Sequence, residues 1–195
     1  MSADLEAVLD RNALSADCQT ASWQSFADFN GGVRPLVQDV SVSGRYRAFV
    51  VGDQRITIVR NGPTLVYSQC RDGLFGYNFD VDEPLLLGSI RGAGELMKPI
   101  HLKFSQPVSK VGACLSANGN LGDYYIASLK VRLDNGLWFR LVAPAVALSQ
   151  QRGSAPVLGA RTGNGRSIDE VKFDLIDANN TGQFKRVAVG RVYFL

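Results

Sequence analysis

The chain has 195 residues, of which 46% are hydrophobic and 20% charged, as in one ordinary globular domain. Its net charge of +3 is too small to indicate nucleic-acid binding, and without 18 consecutive apolar residues it has no predicted membrane span. The single histidine, His101, excludes cupin-type and other metal sites that need two or more imidazoles.

The charge is unevenly distributed along the chain. Residues 1–100 hold 9 Lys and Arg against 12 Asp and Glu, whereas residues 101–195 hold 12 against 6. A basic C-terminal half can steer an anionic partner. The cations are nevertheless scattered singly on alternating positions, so we interpret them as the solvated face of a sheet and expect no nucleic-acid partner.

The N-terminal segment, residues 1–32, is predicted to be helical and to pack on the main domain, residues 33–195. Ser2 can cap a helix over residues 2–14, with Leu5, Val8 and Leu9 on one face. Residues 15–32 allow a second helical piece or an entry strand.

From Val33 onward the pattern changes to short apolar–polar alternations separated by Gly and Asn turns. Such a period of two predicts an all-β fold, an antiparallel β-sandwich of about thirteen short strands. The predicted strands are Leu36–Val42, Arg45–Val51, Gln54–Arg60, Thr64–Gln69, Leu74–Asp80, Leu85–Ile90, His101–Gln106, Val108–Ser116, Tyr124–Leu133, Leu137–Val142, Pro156–Ala160, Ile168–Asp177 and Phe184–Phe194.

The same alternation predicts the core. Ten apolar residues that alternate with charged neighbours are expected to face inward: Ile100, Leu102, Phe104, Val111, Leu129, Val131, Leu133, Ile168, Val171 and Phe173. His101 belongs to the polar phase of its strand, so it is predicted to be exposed and dispensable.

The second half of the chain contains a strand and turn with spaced Ile, Phe, Pro, Val and Gly residues. The residues are Ile100, Leu102, Phe104, Pro107, Val108, Val111 and Gly112, followed by Asn135-Gly136, Val157-Leu158-Gly159, Ile168, Val171, Phe173 and a closing strand Val189–Phe194. Over residues 100–195 this pattern resembles bacterial exported β-sandwich proteins of the PEP-CTERM-associated type, although the sorting tail itself is missing. The resemblance implies a jelly roll of the galactose-binding or carbohydrate-binding-module kind, and a secreted or cell-surface protein whose signal peptide lies outside this sequence; a cytoplasmic location is the alternative.

A glycine-rich loop running into two tyrosines is the predicted ligand site. Asn118, Asn120 and Asp123 can hydrogen-bond sugar hydroxyls, and Tyr124 or Tyr125 can stack on a sugar face. Asp123 and Asn118 also carry the hard oxygen atoms that calcium prefers, so calcium is considered as a cofactor.

Catalytic groups are sparse. A pair of Cys114 and His101 is conceivable, but the apolar surroundings of Cys114 should raise its thiol pKa. The three cysteines, Cys18, Cys70 and Cys114, allow one disulfide or three inert thiols. The carboxylates at residues 80–83 and 169–170 are interpreted as turn residues that cap backbone amides.

These patterns predict a non-enzymatic, exported binding module for a glycan or another cell-surface component, with oligomer formation left open. The alternatives are a structural subunit of a surface layer, filament or capsid, and a hydrolase with dispersed carboxylates.

Overall fold

The computed structural model describes residues 4–23, 34–35, 46–59, 66–69, 75, 78–80, 83–89, 99–147, 153–177, 184 and 186–195. These residues form one short helix and fourteen strands. The elements are β1 (Leu5–Val8), α1 (Arg11–Ser15), β2 (Gln19–Ala21), β3 (Arg34–Pro35), β4 (Tyr46–Val51), β5 (Gln54–Val59), β6 (Val66–Gln69), β7 (Pro84–Ser89), β8 (Ile100–Val108), β9 (Lys110–Ala117), β10 (Tyr124–Leu133), β11 (Trp138–Val146), β12 (Val157–Thr162), β13 (Ile168–Ile176) and β14 (Arg186–Phe194).

The strands form two antiparallel sheets, which confirms the predicted β-sandwich. The larger sheet has the order β1-β12-β9-β14-β7-β6-β3, with β2 also paired to β14. The six-stranded sheet has the order β11-β10-β13-β8-β5-β4. Most neighbours in each sheet are distant in sequence, so the sheet order decides which outward-facing side chains meet.

The core lies between the sheets and consists of the residues that the alternation predicts. All ten predicted core residues are at most 4% exposed, including Phe104, whose ring lies 5.8 Å from that of Phe194. Trp23 closes the core beside β14, where its indole Nε1 donates to the carbonyl oxygens of Val189 and Gly190 at 3.0 and 2.7 Å. The sequence period therefore identified the inner faces of both sheets correctly.

The outer face of the larger sheet is covered by the protein itself. A second apolar cluster is packed there, formed by Phe75, Phe79, Leu85, Leu87, Cys114, Ala155 and Ala188. Helix α1 covers the neighbouring area, because Leu14 is fully buried against Gly112 and Gly159. These glycines face each other in the β9–β12 register, and a Cβ on either would lie 2.8 Å from Leu14 Cδ1. Gly112 and Gly159, both part of the sequence pattern, therefore leave the space that the Leu14 side chain of α1 occupies.

The predicted helix over residues 2–14 is wrong in its extent. Leu5–Val8 form an edge strand paired to β12, and the helix is limited to Arg11–Ser15. Its N-cap is Asp10, whose Oδ1 accepts from the amide of Ala13 at 2.8 Å, whereas Ser2 lies outside the described residues. A thin stripe of three apolar residues stabilises a helix weakly, and pairing with β12 satisfies the same backbone groups. The described part of the N-terminal segment therefore adds strands β1 and β2 to the sandwich.

Two other strand predictions differ from the structure by more than two residues. Within the predicted strand Leu74–Asp80, the described residues 75 and 78–80 lie outside the strands, where Phe75 has a positive φ and packs with Phe79 on the larger sheet. Strand β11 continues four residues beyond the predicted end at Val142, through Pro144, which is tolerated because β11 is an edge strand. The predicted strand Leu36–Val42 lies outside the described residues.

In the part of the chain that the structure describes, no helix has the length and apolar character needed to cross a membrane.

Candidate functional site

The outer face of the six-stranded sheet presents a row of polar and aromatic side chains. In the β10–β11 register Trp138 lies opposite Arg132, and in the β10–β13 register Arg132 lies opposite Glu170. Glu170 in turn lies opposite Lys103 of β8. In the adjacent row, Lys172 of β13 lies opposite His101 of β8. Four strands therefore bring these side chains onto one continuous surface.

Glu170 is the centre of this surface. Its Oε2 lies 2.7 Å from His101 Nε2, while its Oε1 accepts from Arg132 Nη1 at 2.8 Å. Lys103 Nζ lies 3.8 Å from the same Oε1. Both oxygens of the carboxylate are thus engaged by cationic or polar donors, which is how a nearly buried carboxylate is normally stabilised.

The environment shifts the pKa values of both members of the His101–Glu170 pair. Burial lowers the pKa of His101 below its usual value of 6.5, and the cations Lys172 and Lys103 act in the same direction, against the opposing effect of Glu170. Burial by itself would raise the pKa of Glu170, but the hydrogen bonds from His101 and Arg132, the charge of Arg132 and, at acidic pH, the charge of protonated His101 outweigh it and lower that pKa. At neutral pH the pair is a neutral imidazole bound to a carboxylate.

Trp138 covers this polar cluster from the edge strand β11. Its ring lies edge-on to the His101 imidazole, with centroids 6.1 Å apart, and Lys172 Nζ lies over the ring 4.2 Å from its centroid. The residue remains 40% exposed. Lys172 thus occupies one face of the indole. We call the set of six residues the Trp138 platform: His101, Lys103, Arg132, Trp138, Glu170 and Lys172.

The prediction that His101 is exposed is wrong. The residue is 7% exposed, and its Nδ1 is buried without a hydrogen-bond partner among the described residues. His101 does point outward from the core, as its strand phase requires. It is buried because Glu170 and Lys172 of the adjacent strand and Trp138 from three strands away cover it.

The predicted loop site is divided by the structure. Tyr124 is 43% exposed at the start of β10, opposite Val146. Tyr125 is fully buried and donates its hydroxyl to the carbonyl oxygen of Leu115 at 3.0 Å, so of the two tyrosines only Tyr124 is placed where it could stack on a ligand. Strand alternation makes this outcome unavoidable, since adjacent residues face opposite sides of the sheet.

The polar residues of that loop support one another. Asp123 Oδ2 accepts from the backbone amide of exposed Asn120, and Asn118 is half-buried. Gly119 lies close to Asp123 Oδ2 and to the ring of Phe184, so a side chain there would collide. Within the described residues no group of three or more His, Cys, Asp or Glu side chains is placed to hold a metal ion. A calcium ion at this loop would have to use Asp123 and Asn118, the two oxygen ligands that the sequence predicts.

Cys114 and His101 cannot form a catalytic pair, because they lie on the outer faces of different sheets with the core between them. Cys114 packs in the cluster outside the larger sheet and accepts a hydrogen bond from Arg11 Nη2 at 3.1 Å. Burial raises the pKa of its thiol, as the sequence predicted. Cys18 and Cys114 are both free thiols, and Cys70 lies outside the described residues.

The acidic residues at 80–83 behave as turn residues where the structure describes them. Glu83 is buried, and its Oε2 accepts from the backbone amide of Asp80 at 3.3 Å. Its Oε1 lies 3.5 Å from the amide nitrogen of Arg191. Asp80 forms an ion pair with Arg11 at 3.1 Å. These contacts agree with the interpretation of Glu83 as a cap of backbone amides.

Sequence reasoning missed Trp138 as a member of a common site. The interpretation of Glu170 as a turn residue that caps backbone amides is wrong, because it lies within β13 and its carboxylate contacts the His101 and Arg132 side chains. Lys103, Arg132 and Lys172 alternate with the predicted core residues, so the alternation assigns them to an outward face, but it acts within one strand at a time. Of the four neighbours only β10 and β11 are consecutive in the chain, so only the sheet order shows that their outward residues meet those of β13 and β8. The one available signal was an aromatic residue, Trp138, two residues after the Asn135-Gly136 turn on an alternating strand.

No protein-family model matches this chain, and no curated protein matches it.

Proposed function

We propose that the protein is a non-catalytic, exported binding module for a glycan or another cell-surface component, and that its ligand binds at the Trp138 platform. The observation that carries this proposal is the position of Trp138. Lys172 lies over its ring and His101 lies edge-on to it, while 40% of the residue is exposed, on the one sheet whose outer face is not covered by α1.

A ring held in this way suits the recognition of sugars. Pyranose rings offer C–H groups on one face, which pack on aromatic rings, and hydroxyl groups at the rim, which need hydrogen-bond partners. Arg132 and Lys103 supply donors beside the ring, and the Glu170 carboxylate positions the guanidinium of Arg132 and the ammonium of Lys103. Because Trp138 is already positioned, little side-chain entropy is lost on binding.

The exposed surface is long enough for a chain of sugar units. Tyr124 and Trp138 lie on the same outer face of the β10–β11 pair, since Tyr124 and Arg132 are eight residues apart and Arg132 lies opposite Trp138. At roughly 3.3 Å per residue this separates the two aromatic residues by about 26 Å. Tyr124 thus keeps a place in the proposed site, at the far end from Trp138.

The test is a glycan array probed with the wild type and Trp138→Ala, with Leu137→Ala as the matched control. Leu137 is an exposed neighbour, 56% exposed, that does not belong to the platform. Loss of a central aromatic contact costs about 2 kcal/mol or more, so Trp138→Ala should weaken a hit about thirtyfold, whereas Leu137→Ala should leave it unchanged. A wild type without hits, or a hit insensitive to Trp138→Ala, would refute the proposal.

A second function, a subunit of a surface assembly, is favoured by a separate observation. Among the described residues, exposed apolar side chains lie on and beside the edge strand β11, including those of Leu121, Tyr124, Val142 and Val146. Exposed edge strands with apolar side chains are sites of association. Light scattering of the purified, ligand-free protein separates the two functions, because an assembly subunit forms large particles whereas a binding module remains small.

A further inference from the structure

The Trp138 platform is unbalanced in charge and in hydrogen-bonding character. Lys103, Arg132 and Lys172 surround Trp138, and the carboxylate among them is that of Glu170 alone. His101 is neutral at pH 7 because burial lowers its pKa. Three positive charges therefore stand against one negative charge.

The carboxylate has no free oxygen for a ligand. Glu170 Oε2 is bound by His101, and Glu170 Oε1 by Arg132 and Lys103. By contrast Lys172 makes no ion pair among the described residues, and its ammonium lies over the Trp138 ring. The side chains of Lys103 and Arg132 are 58% and 37% exposed, so both keep donors that face solvent.

Such a site matches a ligand that only accepts hydrogen bonds. Lys and Arg side chains can donate but never accept, whereas a sugar hydroxyl does both and normally finds an acceptor as well as a donor. Carboxylate and sulfate groups carry negative charge and accept only. A neutral sugar would leave its hydroxyl hydrogens without a free side-chain acceptor among the six residues of the platform.

Building on the proposed function, we infer that the ligand is an acidic glycan, a polysaccharide with carboxylate or sulfate groups. One sugar ring stacks on the exposed side of Trp138. Its anionic group binds between Lys172 and the Arg132–Lys103 pair. An acidic glycan is preferred to a nucleic acid because one aromatic ring and three cations, with Glu170 among them, lack the repeated stacking residues of a single-strand groove.

The experiment compares two forms of one polymer. Oligogalacturonate and its fully methyl-esterified form share the same backbone and differ in charge, and sulfated dextran and an oligo-dT strand complete the panel. Calorimetric titrations use the wild type, Lys172→Gln, Trp138→Ala and, as the control, Arg161→Gln. Arg161 lies on the larger sheet in an exposed ion pair with Glu6, so its variant loses one positive charge outside the platform.

We expect the wild type to bind oligogalacturonate or sulfated dextran at least about tenfold more tightly than the methyl ester, with affinity that falls as salt is added. Binding of only one of the two anionic polymers identifies the acidic group. Lys172→Gln should weaken binding of the charged polymer about threefold to tenfold and that of the ester by less than twofold, whereas Arg161→Gln should change neither.

Three outcomes contradict the inference, and they can be told apart. Equal binding of the charged polymer and the ester, lost in Trp138→Ala, would overturn the acidic ligand and leave the proposed function standing. Binding of none of the polysaccharides would overturn both. Tighter binding of oligo-dT than of any polysaccharide would identify the surface as a nucleic-acid site.

Discussion

Glu170→Gln tests the buried polar cluster on which the site depends. Glutamine has nearly the same shape as glutamate, but it removes the negative charge and replaces one acceptor oxygen with a donor amide. The amide must then face either His101 Nε2, now 2.7 Å from Glu170 Oε2, or Arg132 Nη1, now 2.8 Å from Oε1. Whichever it faces, one charge-assisted hydrogen bond is lost.

The expected loss of unfolding free energy depends on how deeply Glu170 and its partners are buried. Breaking a fully buried ion pair costs about 3–5 kcal/mol, and losing one hydrogen bond to a charged group costs about 1.5–3 kcal/mol. The Glu170 side chain is 10% exposed, but those of Arg132 and Lys103 are 37% and 58% exposed, so water replaces part of the lost interaction. We therefore expect Glu170→Gln to lower the free energy of unfolding by about 2 kcal/mol. For a chain of this size the melting temperature would fall by about 4–8 °C.

Glu6→Gln is the matched control. Glu6 accepts from Arg161 Nη2 at 2.7 Å, as short as the His101–Glu170 contact, but its side chain is 64% exposed. Exposed pairs contribute little, so the free energy of unfolding should change by less than about 0.5 kcal/mol. Urea unfolding at pH 7 measures both variants. If Glu170→Gln and Glu6→Gln were equally stable, burial would not increase the contribution of the Glu170 interactions to the free energy of unfolding, contrary to this prediction.

The pH dependence provides a second check on the same pair. The pKa of His101 is lowered by burial, so the unfolded state binds its proton first, and stability falls as the pH drops below about 6.5. The pKa of Glu170 is also lowered, so its contribution is present above 4.5 and disappears as the pH falls through the folded-state pKa. The stability difference between the wild type and Glu170→Gln should therefore shrink when urea unfolding is repeated below pH 4.5.

Three further variants test the core, the glycine pair beneath α1, and the loop that contains Asp123. Phe104→Ala should lower the free energy of unfolding by about 3–5 kcal/mol because the residue is 4% exposed in the core, and an unchanged melting temperature would contradict this assignment. Gly112→Ala should cost about 1–3 kcal/mol in urea unfolding, since its Cβ would lie 2.5 Å from Gly159 Cα; a neutral effect would show that β9 and β12 can separate. Adding calcium should change the melting temperature of neither the wild type nor Asp123→Asn, because one oxygen of the Asp123 carboxylate already binds the Asn120 amide. A rise with calcium that Asp123→Asn abolishes would instead establish the metal site.

The sequence by itself determined the inner faces of the sandwich. Alternation is a local property, because successive side chains of a strand point to opposite sides and burial selects apolar residues on one of them. Ile100, Leu102 and Phe104 could therefore be assigned to the core without knowledge of their neighbours. The same rule gave the range of β10, Tyr124–Leu133, and made it unavoidable that Tyr124 and Tyr125 diverge.

Only the tertiary structure decided what lies on the outward faces. Leu5–Val8 became a strand because β12 offered a free edge, although the local pattern also fitted a helix. His101 became buried because Glu170, 69 residues later, and Trp138 lie against it across the sheet. An outward residue is exposed or buried according to which strands pair beside it, and that pairing depends on contacts distant in sequence, which the alternation within one strand does not encode.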